Sequence, residues 1–250
     1  MRQTTLSKFI ALSLLALPTS HIQAGDRYVQ FRGPSSLAAS CIPVGFNGSV
    51  GGKGVLAFST PVGVLLKERK IVFGVGGLSI DEKFRFPRGW ERVGKAEDLV
   101  NGHGWILTGV RTGNQLLNFG VAFLHGGLPI SVNIQGQIPL AGNDWRACVG
   151  VQDLNTTGTV RTLGGKTRSY FTAFSYQYGE VYFSGGWGTA RFENGFASLS
   201  ISLAEGFTPM VEYDGKGWNY GTSLQLIPHT FLFIGSRSGR QSALVVGMAF

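Results

Sequence analysis

Trp218-Asn219-Tyr220-Gly221-Thr222-Ser223-Leu224-Gln225-Leu226 separates into two sets when read at every second residue. Trp218, Tyr220, Thr222, Leu224 and Leu226 fall on one side, Asn219, Gly221, Ser223 and Gln225 on the other, because side chains alternate across the pleat of an extended strand. One face is aromatic and aliphatic and the other small and polar, as a strand between hydrocarbon and a polar lumen requires. The pattern recurs. Ala197, Leu199, Ile201 and Leu203 alternate with Ser198, Ser200 and Ser202, and Tyr170, Phe174, Tyr176 and Tyr178 with Phe171, Ala173, Ser175 and Gln177.

The last segment places Leu244, Val246, Met248 and Phe250 on one face, and a terminal aromatic after apolar residues at every second position resembles the C-terminal assembly signal of bacterial outer-membrane barrels. Walking backward from Phe250, hairpin by hairpin, predicts about twelve strands beginning near residues 68, 103, 115, 130, 145, 168, 181, 196, 207, 217, 229 and 241, with ten or fourteen as the bounds. Gly113-Asn114, Gly142-Asn143, Gly179-Glu180, Glu205-Gly206 and Ile227-Pro228 become short periplasmic turns, and the longer connections near 81–101 and 154–166 fall on the opposite side. The fold expected is all-β, a closed antiparallel transmembrane β-barrel spanning 68–250. A soluble sandwich would carry more charge on its outward faces.

Composition points the same way. Charged residues make up 14% of the chain, 38 residues are Gly, and mean hydropathy is slightly positive. Arg2 and Lys8, the short apolar run from residue 9 to 17 and Ala24 form the pattern of a secretory signal peptide over residues 1–24, with cleavage near Ala24. The expected location is therefore the outer membrane of a Gram-negative-type cell. Residues 25–67, with Pro34, Pro43, Pro61 and the Gly-rich stretch 45–54, fit a periplasmic segment, a lumen plug or one more hairpin. The net charge of +8 shows no Lys/Arg cluster with interleaved aromatics, so no nucleic-acid partner is expected.

Two regions resemble the YjbH-type family of outer-membrane proteins linked to exopolysaccharide production. Ser59-Thr60-Pro61, Val64-Leu65 and Ile71-Val72-Phe73-Gly74-Val75-Gly76 look like that family's Thr-Pro segment and first strand. Gly150-Val151-Gln152-Asp153, Gly186-Trp187-Gly188, Val211-Glu212-Tyr213-Asp214-Gly215-Lys216 and Asn219-Tyr220-Gly221 look like its later strands. The resemblance implies an outer-membrane barrel serving secretion or assembly of an extracellular polysaccharide, without catalysis. Expected partners are outer-membrane lipid, the barrel-assembly machinery and a polysaccharide.

Candidate chemistry is sparse. Glu212, Asp214, Asn219, Ser223 and Gln225 are the candidate polar groups of the lumen, with Lys216 or Arg191 as partners for the carboxylates. A glycosidase would need two such carboxylates facing a sugar. Cys41 and Cys148 enter an oxidising compartment and are the candidate disulfide. His21, His103, His125 and His229 show no metal-ligand spacing, and neither metal nor cofactor is expected. Trp105, Trp145, Trp187 and Trp218 fall toward strand ends, suited to an interfacial belt or to sugar stacking. The functions left open are export or assembly of polysaccharide, passage of small solutes, and a non-conducting structural or adhesive role with a filled lumen.

Overall fold

The computed structural model describes residues 35–79, 100–124, 130–140, 142–154, 168–239 and 241–250. The segment expected to be a signal peptide, most of the 81–101 connection and residues 155–167 lie outside them. Twelve strands close into one antiparallel barrel in sequence order: β1 Ile71–Ser79, β2 Val100–Thr112, β3 Gln115–Leu124, β4 Ile130–Ile138, β5 Trp145–Gln152, β6 Ser169–Tyr178, β7 Val181–Gly188, β8 Phe196–Ile201, β9 Phe207–Tyr213, β10 Trp218–Ile227, β11 Thr230–Arg237 and β12 Gln241–Ala249. Strand starts match those read from the alternation to within three residues. The largest offsets are at β1 and β2. The chain turns at Arg69, whose φ is 63°, and Arg69 N–H donates to Gly109 O (3.0 Å), so the first strand begins only at Ile71.

The end of the chain seals the barrel. β12 pairs with β1 from Val72↔Ala249 to Leu78↔Ala243. One residue further, Phe250 N–H donates to Ile71 O (2.8 Å) and Ile71 N–H to Phe250 O (3.0 Å), while the Phe73 and Phe250 rings stack 5.8 Å apart. Leu244, Val246 and Phe250 are exposed on the outer surface. So are Val75, Phe119, Phe123, Val149, Phe183 and Ile234 on other strands. A closed sheet that pairs its backbone internally and turns its large apolar side chains outward is built for hydrocarbon, and the fold is that of a transmembrane β-barrel. Trp145, Trp187 and Trp218 belong to this outer surface. Trp105 does not: it is 3% exposed and points into the lumen beside Leu107 and Ala122, because its place in β2 has inward parity.

Residues 35–67 lie inside the barrel. Leu37, Ile42, Val44, Leu56, Phe58, Val62, Val64 and Leu66 are buried there, and the wall facing them is apolar too, with Val72, Leu107, Phe231, Phe233 and Val245. This explains why β12 alternates Leu244 and Val246 with Val245: one set meets lipid and the other meets the plug. The lumen is thus polar only in part, contrary to the simple expectation for a barrel interior.

The plug runs as an irregular strap. It passes Gln135 at Ala38 and makes a turn at Asn47 and Gly48, where Gly48 has φ 77°. This turn end lies beside the short strand connections, since Lys53 pairs with Glu180 at 2.9 Å and Gly206 N–H donates to Gly52 O. The chain then rises to Ser59 and Thr60 and descends to Lys67, whose N–H donates to Gly48 O (2.8 Å). Bridges Ser40↔Ala57 and Val44↔Val55 tie the two passes together. Wall glycines make room: a side chain at Gly120 would overlap the Ser36 backbone, and one at Gly247 would overlap Ile42. Gly120→Leu is expected to preserve the heat-dependent gel shift of a folded barrel while exposing residues 35–44 to protease. Protease resistance equal to wild type would show that this wall does not seat the plug.

Candidate functional site

An enclosed, extended segment has a problem: the amide N–H groups that the bridges between its two passes do not pair lack sheet neighbours, and a buried unpaired donor is costly. The barrel wall answers with side-chain acceptors. Ala38 N–H donates to Gln135 Oε1 (2.9 Å), Gly54 N–H to Ser202 Oγ (3.2 Å), Leu56 N–H to Ser200 Oγ (3.0 Å) and Gly63 N–H to Ser175 Oγ (2.9 Å). Asn118 acts as a surrogate strand. It accepts from Leu66 N–H at 2.7 Å and donates to Leu66 O at 3.1 Å. Asn133 Nδ2 donates to Ser36 Oγ (2.6 Å).

The centre of this set is Glu212, on β9 with inward parity and 0% exposed. Its carboxylate receives Phe58 N–H (2.8 Å), Ser59 N–H (3.1 Å) and Thr60 N–H (3.2 Å) from the top of the plug. The hydroxyls of Ser59 (2.8 Å) and Thr60 (2.9 Å) donate as well, and Asn219 Nδ2 completes the set at 2.9 Å. Three consecutive amides converging on one anion, reinforced by two hydroxyls, form an anion nest whose anion is supplied by the barrel wall. The donors disperse the charge that burial would otherwise penalise. The expectation that Glu212 pairs with Lys216 or Arg191 is therefore corrected, because the plug fills that role.

The other sequence candidates separate. Asp214 sits just past β9 and accepts from Lys216 N–H (3.0 Å) and Gly217 N–H (2.9 Å), capping a turn in which Gly215 has φ 86°. Asn219 supports Glu212 and also accepts from Ser238 N–H (3.3 Å). Ser223 is buried on the inner face of β10, and Gln225 is half-buried toward the turn end. With Glu212 saturated and Asp214 committed to a turn, the two carboxylates are not arranged across a substrate.

Cys41 and Cys148 are both free and buried, which corrects the proposed disulfide. Cys41 packs with Leu56, Phe58 and Phe233, whereas Cys148 packs with Leu37, Phe171 and Phe192 and donates to Val62 O (3.1 Å). The plug holds them in separate clusters. At the turn end, the Glu180 carboxylate beside Lys53 holds that ammonium's pKa above its ordinary value.

Asn118, Gln135, Ser175, Ser200 and Ser202 were not singled out as site residues from sequence, although the inward Ser198, Ser200 and Ser202 alternation was visible. Their function depends on a segment more than a hundred positions away in most cases. The signal available was the regular supply of small hydroxyl side chains on one strand face.

No protein-family model matches the chain, and no curated protein does. Among solved structures the chain is similar to engineered variants of the Rhodopseudomonas blastica porin. One aligns at TM-score 0.35 with 8% identity, covering 72% of this chain and 98% of the porin, and a second at 0.35 with 9% identity over the same shares. A likeness this remote carries no functional inference.

Two outcomes check the site. Glu212→Gln puts an amide donor against a ring of donors and should lower stability by about 3 kcal/mol, seen as earlier loss of the folded band on heating in detergent. An unchanged transition would show that the plug is held elsewhere. Without reductant, both thiols should react with maleimide only after unfolding, and a non-reactive denatured chain would show that they are paired.

Proposed function

We propose that the protein is an outer-membrane barrel that passes small solutes or assists export of an extracellular polysaccharide, through a lumen that residues 35–67 close and whose opening is their release. The observation that carries this reading is the manner of closure. A small barrel can be filled permanently by its own inward side chains. Here a separate strap fills it, bonded to hydroxyl, amide and carboxylate side chains and absent from the barrel ladder. Each of those bonds can be exchanged for one to water, so the strap can leave without opening a strand pair.

The outward apolar belt of a closed barrel supports lipid as the surrounding partner and insertion by the barrel-assembly machinery. The resemblance to the exopolysaccharide-associated family supports a polysaccharide as cargo, and the hydroxyl and amide side chains facing the plug are groups that would suit a sugar polymer once it is displaced. No catalytic role is assigned.

Planar-bilayer recording tests the gate. Wild-type protein should open rarely, and Glu212→Ala should raise the open probability about tenfold by removing the acceptor that favours the closed state. Absence of conductance from both wild type and Glu212→Ala, with both migrating as folded barrels, would support a permanently filled structural barrel instead. Unchanged surface polysaccharide in a deletion strain would remove the polymer cargo and leave the solute reading to the recordings.

A further inference from the structure

The stretch that joins the plug to the first strand is Lys67-Glu68-Arg69-Lys70, with three cations in four residues. Its backbone is held. Arg69 N–H donates to Gly109 O and Gly109 N–H to Lys70 O, each at 3.0 Å, while Lys67 N–H donates to Gly48 O. These bonds pin the stretch to β2 at Gly109, two residues from Arg111. Arg111 Nε donates to Glu68 Oε2 (3.2 Å), so a fourth cation joins the cluster. The Arg69 side chain is 91% exposed.

The height of this cluster on the barrel follows from the register. Ile71 opposes Thr108 and bonds Phe250 in both directions, and Val110 lies two residues nearer the short turn of the β2–β3 hairpin. Ile71, Val110 and Phe250 are all exposed on the outer surface, so the apolar belt reaches this level. Arg69 and Lys70 directly precede Ile71, and Arg111 directly follows Val110. At about 3.3 Å per strand residue, these charges sit where hydrocarbon gives way to headgroups. Long basic side chains can lay their stems along the belt and present their charge at its rim.

Charge at the short-turn end is segregated. Among the described residues of β1, β2, β3, β11, β12 and the 67–70 stretch, Glu68 is the only acidic side chain. Asp144, Glu180 and Glu205 lie on other turns, where Glu180 pairs with Lys53. Trp145 and Tyr178, the exposed rings at the same end, stand on β5 and β6. One sector of the rim therefore meets the interface with aromatic rings and another with cations. Lys67, Arg69, Lys70 and Arg111 outweigh Glu68 even when the carboxylate of Phe250 is set beside it.

From this we infer that the 67–70 stretch and Arg111 bind the phosphate headgroup of an anionic phospholipid in the leaflet on the short-turn side, with its acyl chains on Ile71, Val110 and Phe250. A guanidinium offers paired donors that match phosphate oxygens, and a stretch pinned beforehand loses little freedom on binding. The inference needs a barrel in lipid and does not depend on release of the plug.

The test uses the full chain in neutral detergent with equal amounts of phosphatidylglycerol and phosphatidylcholine, and counts retained lipid by native mass spectrometry. Phosphatidylglycerol should be retained at least fivefold over phosphatidylcholine. Arg69→Gln should lower its retention about fivefold, and Arg69→Gln with Lys70→Gln about twentyfold, each cation near a lipid surface contributing about that factor. Lys216→Gln removes the same charge at the opposite end of the barrel and should retain the lipid as wild type does. Equal retention of the two lipids would overturn the inference, as would a loss in Lys216→Gln equal to that in Arg69→Gln. Full displacement of phosphatidylglycerol by an equal concentration of inorganic phosphate would show a site for a free anion and overturn the lipid assignment. The heat-dependent gel shift of each variant confirms that a folded barrel is being read.

Discussion

An amide enclosed away from water must find an acceptor, and the interior of this barrel is organised around that demand. Residues 35–67 pair some of their own amides, as where Cys41 N–H donates to Ala57 O and Val44 and Val55 exchange both bonds, and leave others, such as Leu56 and Phe58 to Thr60, to acceptors outside the segment. The wall therefore supplies acceptors at intervals, and Glu212 serves three consecutive amides at once. The buried anion and the buried donors solve each other's problem. Either alone would be costly; together they hold the top of the plug against β9.

That arrangement divides the barrel wall by chemistry. Where the plug presents Ile42, Phe58 or Val64, the inward positions are Phe231, Phe233 and Val245; where it presents backbone, they are Ser, Asn, Gln and Glu. Glycine is used where the plug backbone itself touches the wall, as at Gly120. The same segment bonds Ser200 on β8 and Glu212 on β9, so the element that closes the lumen also braces the sheet.

The barrel was legible in the sequence because its determinant is local. Period-two alternation and turn residues mark each strand within ten residues, and the outward set ending on Phe250 fixes the strand that meets β1. The plug was legible only as a stretch rich in Gly and Pro. Its conformation is imposed by partners such as Glu212, 154 positions from Phe58, and no local period encodes such pairings. The same distance explains the readings that failed. Trp105 has the composition of a belt residue but inward parity, and Cys41 and Cys148 suit an oxidising compartment but are held apart by the segment between them. Glu212 and Asp214 share a strand face in sequence, yet one meets the plug and the other a turn.

The account depends most on the bonds between the plug apex and Glu212, and amide hydrogen exchange of the folded chain measures them directly. The N–H groups of Phe58, Ser59 and Thr60 should exchange as slowly as those of flanking barrel strands, with protection lost in Glu212→Ala while β11 and β12 remain protected. Rapid exchange at these three amides in the wild-type protein would contradict it.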